Sequence, residues 1–157
     1  MKIILIIVLI CMIMLIAKAV SEQIKDKYDF YVNLLNFLNQ FKLNLAFKQE
    51  KVLDFLNSVK ARKYFQIFIE EYKDYLKSGN LNLDKIKILD DNEKSELSNI
   101  VNAIGKYDAN TEINQLETFI FQIEEKNKNA QSDKNKLCPM IIKLSILFAI
   151  GLAIILV

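Results

Sequence analysis

Eighteen residues at the C-terminal end constrain the rest of the chain. From Met140 to Val157 it is almost wholly Ile, Leu, Val, Phe and Ala, with Lys143 and Ser145 as polar members. As a helix rising 1.5 Å per residue this run spans roughly 27 Å, close to the hydrocarbon thickness of a bilayer. A soluble core helix would carry a polar face, and this run has none. The chain stops at Val157, so the expectation for 140–157 is a membrane anchor rather than a signal for later sequence.

A second apolar run opens the chain. Ile3 to Ala17 is fifteen consecutive apolar residues behind Lys2, carried past Lys18 by Ala19 and Val20. With Lys18 snorkelling, 1–20 is long enough for a transmembrane helix. The competing reading is a signal peptide, for which Ala17-Lys18-Ala19 supplies a small-x-small cleavage site. Length favours the uncleaved anchor, and the exported, tail-anchored alternative stays open.

Between the runs, residues 21–139 hold eighteen Lys/Arg and nineteen Asp/Glu, the mixed surface of a solvated helical body. Lys18, Lys25 and Lys27 follow the first run, and Lys126, Lys128, Lys134, Lys136 and Lys143 precede or enter the second, whereas the other side has only Lys2. The positive-inside bias therefore puts the middle region in the cytoplasm. A net charge of +2 gives no reason to expect nucleic acid as a partner.

With three Gly and one Pro, the middle region reads as helices. Ile24, Tyr28, Tyr31, Leu35, Leu38, Phe41 and Leu45 recur at helical spacing, widened by Val32, Leu34 and Phe37. A change of phase near 46–48 predicts a break. A short helix carries Val52, Leu53, Phe55, Leu56 and Val59, and a third carries Tyr64, Phe65, Phe68, Ile69, Tyr72 and Leu76 up to Ser78-Gly79-Asn80. Residues 81–89 read as a weak fourth helix. Asp90-Asp91-Asn92 caps a fifth, with Leu97, Ile100, Val101 and Ile104 inward and Gly105 at its left-handed end. Asp108 and Thr111 offer caps for a sixth, whose stripe is Ile113, Leu116, Phe119, Ile120 and Ile123. Residues 124–139 form a charged stalk, with Pro139 expected to disfavour helix at Cys138 and to open the membrane helix. The fold class is all-α: about six helices in a bundle over 21–123, flanked by an N-terminal and a C-terminal transmembrane helix.

The chain has no His, which removes the commonest general base and zinc ligand. No phosphate loop, nucleophile elbow or metal spacing appears. Glu70 and Glu71 diverge around their helix, and the aromatic stripe has core spacing. No cofactor and no catalytic residue are expected. The Lys60-Arg62-Lys63 group fits an acidic partner or lipid headgroups, or simply a solvated helix end.

The Ile104–Asp108 turn, I-G-K-Y-D, reads as a C-cap glycine followed by an N-cap aspartate. With the order of parts around it, it resembles the stage III sporulation protein AB family, which places an L-G-x-x-D turn between its last two helices. Gly105 and Asp108 match, Ile104 stands where the family usually has Leu, and Glu112 where Gln is common. The resemblance implies a soluble domain similar to the cytoplasmic domains of type II secretion and type IV pilus platform proteins. It further implies a non-enzymatic scaffold in the complex between mother cell and forespore, meeting a secretion-type ATPase or other membrane components. A homo-oligomer stays open beside those partners. Gly105, Asp108 and Glu112, with Arg62 and Lys63, are the contact surface this suggests.

Overall fold

The computed structural model describes residues 2–48, 51–105 and 108–156. Five α-helices, α1 (Lys2–Leu43), α2 (Val52–Ser58), α3 (Lys63–Ser78), α4 (Asp91–Ala103) and α5 (Ala109–Leu156), account for most of them, and no strand occurs among the described residues. Sequence reading expected six bundle helices. The fourth is replaced by turns: Ile86 N–H donates to the Leu83 carbonyl (3.0 Å) and Leu89 N–H to that of Ile86 (3.2 Å). Leu83, Ile86 and Leu89 are buried all the same. Residues three apart line up when the bonds run i to i+3, so the spacing that suggested a helix comes from stacked turns.

Two long helices dominate. No glycine or proline interrupts α1, and its 42 residues reach about 63 Å. Its last turn loosens into a π-helical segment, Asn44–Lys48, where the change of phase lay. The 48 residues of α5 run back antiparallel to it. Lys42 meets Glu117 at 2.6 Å, the Lys134 ammonium sits 4.1 Å from the Tyr28 ring centre, and the Cys138 thiol faces the Ser21 carbonyl at 3.6 Å.

Beyond Ser21 and Cys138 the two helices are apolar and largely uncovered by protein. Leu15 is 66% exposed and Leu147 69%, and both helices are long and apolar enough to cross a membrane. What they do bury is small: Ala17, Ser145 and Ala149. Small side chains let helix backbones close up where lipid offers no hydrophobic drive. The Ser145 hydroxyl lies within hydrogen-bond distance of the Ile141 and Ile142 carbonyls (2.6 and 3.0 Å), which keeps it satisfied in an apolar setting.

Pro139 does not break α5, contrary to the sequence expectation, and lies inside it. A helix-interior proline costs about 3 kcal/mol. Contacts of Lys134 and Cys138 with α1 hold the helix on the N-terminal side of the ring, and burial of Ser145 and Ala149 holds it beyond.

The core lies in the bundle. Phe30 meets Phe65 and Phe68 (centroids 5.9 and 6.1 Å), and Phe37 meets Phe68 and Tyr72 (6.3 and 6.5 Å). That order makes α3 run parallel to α1. Phe55 of α2 packs on Phe37 and Phe41 (5.5 and 5.2 Å). Gly79 ends α3 with φ 74° and donates its N–H to the Tyr75 carbonyl (2.8 Å), the left-handed stop glycine allows. Asp90 and Glu93 form a reciprocal capping box on α4.

Candidate functional site

The turn between α4 and α5 is built from two devices that interlock. Ile104 donates its N–H to the Ile100 carbonyl (3.2 Å), and Gly105 then turns left-handed at φ 84°. A Cβ there would meet only Val52 Cγ2 at 3.7 Å, an ordinary contact, so the backbone angle rather than space demands glycine. Asp108 opens α5: the Thr111 N–H donates to its Oδ2 (3.2 Å) and the Thr111 hydroxyl to its Oδ1 (2.7 Å). These bonds hold the Asp108 carboxyl below its ordinary range. One turn on, Glu112 folds back and its Oε1 accepts the Gly105 N–H at 2.6 Å. The carboxylate thus closes the loop that the glycine opens.

Glu112 is only 4% exposed. Burial pushes its carboxyl above the usual range, partly offset by the Gly105 N–H. Its charge also bears on the Tyr72 hydroxyl, which burial first and Glu112 second hold protonated. That hydroxyl has no hydrogen-bond partner among the described residues.

The five residues singled out in the sequence fall in two places. Gly105, Asp108 and Glu112 gather at the distal tip, the end of the bundle away from the apolar helices. Lys63 is elsewhere, its ammonium 2.5 Å from Asp26 Oδ1, and Arg62 lines the same cleft of about 300 Å³ between α1 and the start of α3. Asp26 lies sixteen positions before Lys42 on α1, about 24 Å of helix. Glu112 lies more than a turn beyond Lys42's partner, Glu117. Asp108 is exposed but engaged as a cap, and Glu112 is inside.

One tip feature was missed. Phe47, in the π-helical segment, is 82% exposed, and Leu43, four residues earlier, is exposed as well. The available signal was an aromatic residue falling off the helical stripe beside the predicted break. Residues Lys106 and Tyr107 of the turn lie outside the described residues.

Among the described residues no three His, Cys, Asp or Glu side chains converge as a metal site. The arrangement defines a class: a small α-helical body carried on an antiparallel pair of apolar helices, with a hydrogen-bonded turn at its free end. More narrowly, the chain matches the family described as Stage III sporulation protein AB over residues 2–157, and it belongs to that family. No curated protein and no solved structure matches it.

Proposed function

We propose that the protein is a non-enzymatic membrane scaffold in a sporulation-specific, secretion-like complex between mother cell and forespore. Its helical body faces the cytoplasm and contacts a partner ATPase or other membrane components. Membership of a sporulation family across residues 2–157 carries this reading. The uncovered apolar helices support a bilayer around their paired ends, and the basic residues beside them support the orientation. The free tip, where Phe47 and Leu43 are exposed and Asp108 caps α5, is the surface offered to the partner.

Packing supports retention of the N-terminal helix. Ala17 is buried and Ile10, Ile13 and Met14 line grooves with α5, so cleavage after Ala19 would strip α5 of its neighbour. N-terminal sequencing of the membrane-extracted protein tests this, and a start at Val20 would establish the exported alternative. For the scaffold itself, Phe47→Ser in the full chain should abolish co-purification of the sporulation ATPase and associated membrane components without lowering the melting temperature. Undiminished co-purification would remove the tip from the interface. Protease added to intact cells should leave the body uncut, and its digestion from outside would overturn the topology.

A further inference from the structure

The connection between α2 and α3 is an arm that reaches back toward the apolar helices. α2 begins with Val52 beside Gly105 at the distal tip, and α3 begins where Lys63 meets Asp26. Val59 (φ −73°, ψ 121°) and Arg62 (φ −139°, ψ 154°) are extended, so few residues cover the descent. Asp26 is five residues, about 7.5 Å of helix, from Ser21, where α1 meets Cys138 and the apolar stretch begins. A headgroup layer adds about 5–7 Å outside the hydrocarbon core. The lower end of the arm, at the Lys63 ammonium, therefore lies close to that layer.

Arg62 adjoins that point and Lys60 lies two residues higher on the arm; both are exposed, and neither has an ion-pair partner among the described residues. Lys63 is matched by Asp26, with Asp29 and Glu22 also acting on it, yet its side chain stays 66% exposed. Asp26 and Asp29 belong to the α1 wall of the cleft that Arg62 also lines, and neither forms an ion pair with Arg62 or Lys60 among the described residues. Lys18, Lys25, Lys136 and Lys143 are exposed near the same boundary. The turn opening α4 reaches this end too, since Glu93 meets Lys27 at 2.7 Å, but it carries Asp90 and Asp91. The two turns facing the apolar end thus differ in sign.

We propose that residues 59–62 form a foot resting on the phosphate headgroups of an anionic bilayer, with Arg62 and Lys60 as its contacts. Arg suits paired hydrogen bonds to phosphate oxygens, and each cation near such a surface adds about 1 kcal/mol, roughly fivefold in the contact equilibrium. The inference rests on the membrane reading of the apolar pair and uses neither the ATPase nor the orientation.

The test is hydrogen exchange of the full chain in lipid nanodiscs. The amides of Lys60, Ala61 and Arg62 should exchange at least fivefold more slowly in discs with about 30% phosphatidylglycerol than in phosphatidylcholine discs. The π-helical segment at the tip should exchange alike in both. Lys60→Gln/Arg62→Gln should erase the difference, as should half-molar salt, which needs no variant to fold. Equal exchange in the two lipids, or protection surviving both treatments, overturns the proposal. So does protection in phosphatidylcholine discs by inorganic phosphate, which marks a free-anion site, or by polyglutamate, which marks an acidic protein partner. Failure to enter discs would instead count against the membrane reading, and loss of ATPase co-purification would leave this result untouched.

Discussion

In the bundle, α1 meets its neighbours through rings: Phe30, Phe37 and Phe41 hold α2 and α3 at aromatic distances. In its apolar half the same helix meets α5 where Ala17, Ser145 and Ala149 are buried. Water rewards the burial of large apolar side chains, so the solvated half of the helix spends its phenylalanines inward. Lipid gives no such reward, and the apolar half turns its large residues outward and brings small ones together. One helix crosses from the first regime to the second near Ser21 without a break.

The most damaging change should be at the centre of the aromatic regime. Phe37 touches Phe41, Phe55, Phe65, Phe68 and Tyr72, and Phe37→Ala should cost about 3–5 kcal/mol, read as a lower urea midpoint for the body. The matching change in the other regime is Ala149→Leu. Overpacking of this kind costs about 1–3 kcal/mol and should splay the apolar ends while the body's midpoint holds. Cys138, buried against Ser21, would then react with a water-soluble maleimide roughly tenfold faster. Unchanged labelling would mean that the small-residue contact does not hold the pair.

These regimes were unequally legible in the sequence. Both apolar runs declared themselves by length, and the inward faces of α3 and α4 were read because each helix buries one stripe, although Leu76 at the end of the α3 stripe is exposed. The face of α1 was read correctly at its centre, where Tyr31, Leu34, Phe37, Leu38 and Phe41 are all buried, and missed at its edges. Phe30 was not in the expected stripe, yet it is almost fully buried beside Leu34 and Phe37, while Ile24 and Leu35 are only half-buried. A helix packed against α3 on one side and α5 on another has no single stripe to find. The candidate surface was readable as a turn, but periodicity does not encode which end of the bundle a loop occupies. Arg62 and Lys63 were therefore grouped with a turn that lies at the opposite end.

The tip turn allows finer comparison, because Glu112 does a job that either an acid or an amide can do. Glu112→Ala should cost about 1–3 kcal/mol, leaving the Gly105 N–H without its acceptor. Glu112→Gln keeps a carbonyl oxygen in reach and removes a buried charge, so at pH 7 it should melt no lower than the parent. A fall as large as that of the alanine variant would show that the charge itself holds the turn.

The smallest effects separate the two carboxylates of that turn by sign. Glu112 is raised above its ordinary 4.5 in the folded protein, so folded molecules bind more protons than unfolded ones over the interval above 4.5. Its contribution to stability is complete below that value and is lost as pH rises through the folded pKa. Asp108 is lowered below its ordinary 3.8, and its contribution is complete above that value and lost as pH falls through the folded pKa. Melting curves of the full chain from pH 3 to 7 should therefore shift in opposite ways. Glu112→Gln should flatten a decline on the neutral side, and Asp108→Asn should flatten a loss on the acid side. Asn caps a helix about as well as Asp, so Asp108→Asn should otherwise leave both melting and partner co-purification intact. If co-purification fails while melting holds, Asp108 is presenting its charge to the partner as well as to the helix, and the tip is an interface rather than only a well-made turn.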